Sequence, residues 1–140
     1  MGRLFRAIRG FVGRFLSGVE ERNPEILLEN AVQDELENLK KLQVAAARTM
    51  AYEKMLANDA AAKQKLVAAR ERQAQELLAR GQREAAIEVI QQKQEAQASL
   101  AELEGRLEEA RRNSQEMERA FREQERRYNE VVRERAALME

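Results

Sequence analysis

The sequence predicts an all-α protein: an N-terminal amphipathic helix followed by one long antiparallel coiled-coil helical hairpin. Three observations carry this. Ala, Glu, Lys, Leu, Arg and Gln dominate while aromatics make up only 4%, the profile of long helices and not of a layered core. An apolar heptad repeat runs through the C-terminal half. Punctuation is sparse, with one proline in the whole chain. The 36% of charged residues would also fit a disordered chain, but 44% hydrophobic residues and a formal net charge of zero leave apolar surface to bury.

The first element spans residues 1–22. Leu4, Phe5, Ile8, Phe11, Val12, Phe15, Leu16 and Val19 recur at intervals of three and four, which keeps one helical face apolar. At about 100° per residue they fill an arc of roughly 140°. Arg3, Arg6, Arg9 and Arg14 fall outside that arc, and no acid precedes Glu20. Gly2, Gly10, Gly13 and Gly18 each cost a free helix about 1 kcal/mol relative to Ala, so this helix needs a surface to form on. A basic helix of high moment at a free end reads as a membrane-surface helix attracted to anionic lipid. Packing on the chain's own hairpin and an Arg-rich, acid-poor targeting peptide are the competing readings. The remainder is net acidic, so an anionic partner is expected at this end alone.

Asn23-Pro24 ends the first element and opens the second. Asn is a favoured N-cap, Pro is tolerated at the first helical position, and Glu25 suits the positive end of the helix dipole. No glycine or proline follows until Gly81, which predicts a first arm over 24–79, roughly 80 Å long. Arg80-Gly81-Gln82 is read as the turn, with Arg80 suiting the negative helix end. One glycine also permits a kinked continuous rod, but matched lengths on either side favour an αα-hairpin. The second arm, 83–140, has the cleaner seam. Its core positions are Ala86, Lys93, Leu100, Leu107, Ser114, Phe121, Tyr128 and Arg135, alternating with Val89, Ala96, Leu103, Ala110, Met117, Gln124, Val131 and Leu138. Mostly apolar over about seven heptads, they specify a left-handed coiled-coil face. The first arm begins with Leu28, Val32, Leu36, Leu39, Leu42, Ala46 and Met50, then dissolves into alanine clusters at 45–47, 60–62 and 68–69. Alanine on several faces suggests close lateral helix contacts.

The chemistry of catalysis is hard to find in this chain. It has no cysteine and no histidine, which removes thiolate chemistry, the commonest general base and the commonest transition-metal ligand. Carboxylate pairs such as Glu35 with Glu37, Glu108 with Glu109 and Glu116 with Glu118 lack the concave setting that pushes pKa values apart. They read as solvated faces with helical partners, as Glu104 and Glu108 have in Arg112. No phosphate-binding loop, zinc spacing or nucleophile elbow occurs. No cofactor is expected. Basic residues beyond residue 20 are interleaved with acids, which argues against nucleic acid. No apolar run approaches the roughly 20 residues of a membrane span, and arginines interrupt what a secretory signal would keep continuous.

In this order and spacing, several motifs resemble the phage-shock protein A and vesicle-inducing-protein-in-plastids family, relatives of the ESCRT-III membrane-remodelling proteins. They are the opening Met1-Gly2-Arg3-Leu4-Phe5-Arg6, the break Asn23-Pro24-Glu25, the acidic Asp34-Glu35-Leu36-Glu37-Asn38-Leu39, the turn Gly81-Gln82-Arg83-Glu84-Ala85-Ala86, and Gln91-Gln92-Lys93. The resemblance implies a cytoplasmic protein, peripheral on the inner face of the cell membrane, that binds anionic or stressed bilayers and polymerises to maintain or remodel them. It implies assembly through the 34–39 motif and binding of an AAA+ transcriptional activator by the hairpin. Family members usually continue through further helices, so the likeness is to a short form. Its expected partners are therefore itself or a longer relative. A second hypothesis is a soluble regulatory coiled coil that binds a protein partner, with its N-terminal helix folded back.

Overall fold

Proline's missing N–H and fixed φ decide where the first long helix begins. The computed structural model describes residues 23–138. They form two helices, α1 over Pro24–Ala79 and α2 over Arg83–Leu138, each of 56 residues. The Asn23 carbonyl accepts the first helical bonds, from the N–H groups of Ile26 at 3.0 Å and Leu27 at 3.4 Å. The proposed N-terminal helix of residues 1–22 lies outside the described residues, as do Met139 and Glu140.

Gly81 ends α1. Its φ of 75° lies in the left-handed region, which costs any residue with a Cβ. This conformation lets the Gly81 N–H donate to Leu78 O at 3.1 Å and the Gln82 N–H to Leu77 O at 2.9 Å. That pair of bonds is a Schellman cap, and it satisfies two orphan carbonyls of α1. Arg80 therefore sits at the cap, and the last turn of α1 holds no basic residue. The chain re-enters a helix at once, with the Ala86 N–H donating to Gln82 O at 3.1 Å. Glu84 in the first turn of α2 and Arg135 in its last both complement the helix dipole.

The two long helices form an extensive hairpin contact, so the fold is all-α, as the periodicity predicted. The chain divides into two compact units. In the turn-containing unit, Ala47–Gln115, Leu56, Leu107 and Ala110 form a core cluster with Ala57 and Leu103 packed on it. Ala60, Ala74, Ala86, Val89 and Ala96 are also buried there. Alanine in both arms lets the helix axes approach closely. The second unit combines the described residues up to Ala46 with those from Glu116. Leu28, Val32 and Val131 are its buried apolar residues.

Every buried residue of α2 falls on the heptad positions read from the sequence. Leu138 is the exception among those positions, at 47% exposed, because α1 begins only at Pro24 and little of it remains to cover the last turn of α2. The larger correction concerns α1. Its seam does not dissolve: buried or half-buried residues continue in strict steps of four and three through Leu42, Ala46, Thr49, Glu53, Leu56, Ala60, Lys63, Val67, Arg70, Ala74 and Leu77. Met50, expected in the core, is 57% exposed, and Thr49 occupies its level on the seam. Long polar side chains cover a seam with their aliphatic stems while their heads reach water. Apolar periodicity alone passes over them.

Candidate membrane-binding and assembly surfaces

Leu4, Phe5, Ile8, Phe11, Val12, Phe15, Leu16, Val19 and the arginines at 3, 6, 9 and 14 lie outside the described residues. Their attachment point does not. Asn23 is followed by an exposed Ile26, 55% accessible. There the ends of the two arms enclose a small cleft of about 90 Å³, lined by Glu25, Ile26, Leu28, Glu29, Arg135 and Leu138. Among the described residues no helix is long and apolar enough to cross a membrane.

The acidic motif of α1 does not present one face. Asp34, Glu37 and Asn38 are exposed, while Glu35, Leu36 and Leu39 are half-buried. Glu35 and Leu39, four apart, look toward α2. Gln124, only 6% exposed, meets Glu35 there. Its side-chain amide donates to the Glu35 backbone carbonyl at 3.1 Å and to the Glu35 carboxylate. The motif thus divides into an inward half, where Glu35 joins the arms, and an exposed half of Asp34, Glu37 and Asn38. Of the turn residues, Arg80, Gly81 and Gln82 are all exposed.

The turn-containing unit carries two further polar links that sequence periodicity did not single out. The Lys93 ammonium pairs with the Glu71 carboxylate, and Arg111 approaches Glu53 at 3.8 Å. The Lys93 hydrogen bond and charge hold the Glu71 carboxyl below its ordinary range. Both pairs are partly exposed, and such pairs contribute little to stability. A sequence signal did exist: Lys93 stands on a mostly apolar seam and requires an acid near it. In the second unit, burial followed by the charge of Glu130 pushes the Glu134 carboxyl up.

Among the described residues no group of His, Cys, Asp or Glu converges to hold a metal. A shallow groove of about 730 Å³ between the arms is lined by Asp59, Ala62, Lys63, Leu66, Ser99, Glu102, Leu103 and Arg106. None of these makes a nucleophile–base pair. Apolar surface also remains uncovered, with Val44, Met50, Tyr52, Met55 and Leu78 of α1 and Ile87 of α2 each about half exposed.

A comparison with curated proteins finds no match. The sequence model of the PspA/IM30 family matches residues 1–139. The match covers nearly all of the 140 residues, including the N-terminal segment, the Asn23-Pro24 break and both arms of the hairpin. The chain belongs to the PspA/IM30 family of bacterial ESCRT-III-like membrane-remodelling proteins, and its role is the membrane-associated, structural and non-catalytic one of that family.

Proposed function

We propose that the chain binds anionic bilayers through the apolar face of residues 1–22 and packs side by side with other hairpins, its own or a longer relative's, to maintain or remodel the membrane. It acts as a peripheral protein on the cytoplasmic face of the cell membrane. The observation that carries this reading is the N-terminal pattern: eight apolar side chains on one arc with Arg3, Arg6, Arg9 and Arg14 outside it. Cations of this kind near an anionic surface contribute about 1 kcal/mol each, and apolar insertion supplies the rest. The hairpin supports the second half, since it leaves Val44 and Met55 half exposed. The outward half of the 34–39 motif is a further contact surface.

The test is co-sedimentation of the full chain with anionic and neutral vesicles. Binding to anionic vesicles, weakened by salt and abolished by Phe11→Glu with Phe15→Glu, is the expected result. Equal recovery in the supernatant with both vesicle types sinks the membrane reading. It would leave a regulatory coiled coil, for which the AAA+ transcriptional activator is the partner to assay.

A further inference from the structure

The outward faces of the two arms carry opposite charge within the turn-containing unit. On α1, from Ala47 to Arg72, the positions pointing away from the seam include four cations, Arg48, Lys54, Lys65 and Arg72, and no carboxylate. The acids of that stretch, Glu53, Asp59 and Glu71, lie on the seam or its flanks. Most remaining outward positions are alanines, among them Ala51, Ala61, Ala62, Ala68 and Ala69. On α2, from Glu84 to Glu109, the outward positions include Glu84, Glu88, Glu95, Glu102, Glu108 and Glu109 and no cation. Four of these recur at every heptad. Ala98, Ala101 and Gly105 lie beside them.

A solvated helix face ordinarily interleaves the two signs at i,i+4. The C-terminal part of α2 does so at i,i+3 or i,i+4, with Arg122 on Glu118 at 2.8 Å and Arg126 on Glu123 at 2.6 Å. The turn-containing unit keeps that pattern only near its end on α2, with Arg106 on Glu102 at 2.8 Å and Arg112 on Glu108 at 2.9 Å, and departs from it elsewhere. Glu84 and Glu88 are like charges four residues apart, which destabilises an isolated helix. Glu84, Glu88, Glu95 and Glu109 make no ion pair among the described residues, and neither do Arg48, Lys54, Lys65 and Arg72. Small residues between the charges would let another helix approach to about 8–10 Å.

We propose that the occupant of each face is a second copy of this chain, the cationic outer face of α1 packing against the anionic outer face of α2 of the next hairpin. This rests on the side-by-side packing proposed above and specifies its surface and direction. Like faces repel, so the contact is heterologous, with α1 meeting α2 and never its own counterpart. Each added copy leaves one cationic and one anionic face unmet, so the contact repeats into a ring or an open filament.

Two inverted variants of the full chain test this, since all their substitutions point away from the seam. One is Glu88→Lys with Glu95→Lys and Glu109→Lys. The other is Lys54→Glu with Lys65→Glu and Arg72→Glu. Light scattering should give the wild type a mass above its 16.1 kDa chain. Each variant alone should fall to the chain mass with its helicity intact by circular dichroism. An equimolar mixture should assemble again, because every α1–α2 contact between the two is then complementary. Salt should weaken both assemblies. Wild-type assembly by either variant alone, or a mixture that stays at chain mass, overturns the proposal. So does an α1 variant that keeps wild-type mass but loses anionic vesicles, which would make those cations a lipid surface. Should an inverted variant lose helicity, Glu88→Gln with Glu95→Gln and Glu109→Gln replaces it. At least tenfold weaker assembly is expected there, and unchanged assembly overturns the assignment. A wild type that stays at chain mass defeats the packing reading itself, a result separate from failure of the variants.

Discussion

At Gly81 a Cβ would meet nothing within 4 Å, so the whole cost of Gly81→Ala is conformational. Holding alanine in the left-handed region at φ 75° costs about 1–2 kcal/mol. Urea unfolding should show a lower midpoint with an unchanged slope, and an unchanged midpoint would show that the cap can be rebuilt without glycine. Two carboxylates act on stability with opposite signs. Lys93 depresses the Glu71 carboxyl, so its contribution is present above the ordinary value of 4.5 and is lost as pH falls through the depressed one. Burial raises the Glu134 carboxyl, with Glu130 adding to the effect. Its ionised form is disfavoured in the folded state, an effect absent well below 4.5 and complete above the raised value. Glu134→Gln should therefore raise the melting temperature at neutral pH and leave it unchanged in acid. Equal shifts at both pH values would rule out titration as the cause.

The two long helices differ in how they are specified. The α2 seam is apolar enough to read directly, whereas α1 mixes Thr49, Glu53, Lys63 and Arg70 into its contact line. On α2, Gly105 is exposed in mid-helix and a Cβ there would meet nothing within 4 Å. Gly105→Ala should stabilise the hairpin by about 1 kcal/mol, seen as a higher denaturation midpoint. No gain would mean that Gly105 is already compensated by contacts outside the described chain. For the element formed by residues 1–22, the expectation is a gain of circular dichroism helicity on anionic vesicles that shrinks with salt. No gain would remove the main support for membrane insertion.

Two arms meeting along one seam cover only part of each helix. Val44 and Met55 remain 51% and 50% exposed, while Leu27, Leu66 and Leu77 are only partly covered. Fully burying one such large side chain is worth roughly 1.5–3 kcal/mol, which favours a partner that covers them. The whole molecule should therefore show a mass that rises with concentration. A constant 16.1 kDa across a dilution series in the tens of micromolar would sink that expectation. Opposite charge on the two outer faces gives the association a direction, which apolar area alone does not.

Local chemistry and period were enough, from the sequence by itself, for the all-α class, the helix-starting Asn23-Pro24, the turn at Arg80-Gly81-Gln82 and the α2 seam. Proline's fixed φ, glycine's freedom from Cβ strain and a seven-residue apolar repeat act without reference to distant residues. The apolar face of residues 1–22 is a reading of the same kind and lies outside the described residues. The tertiary structure decided what depends on a partner. Whether Glu35 looks inward is settled by the Gln124 amide 89 positions away. Whether Met50 or Thr49 joins the seam is settled by the phase that α2 imposes on α1. A polar side chain carries no preference for the seam until the group it will meet is known, so its place was fixed only when the two arms came together.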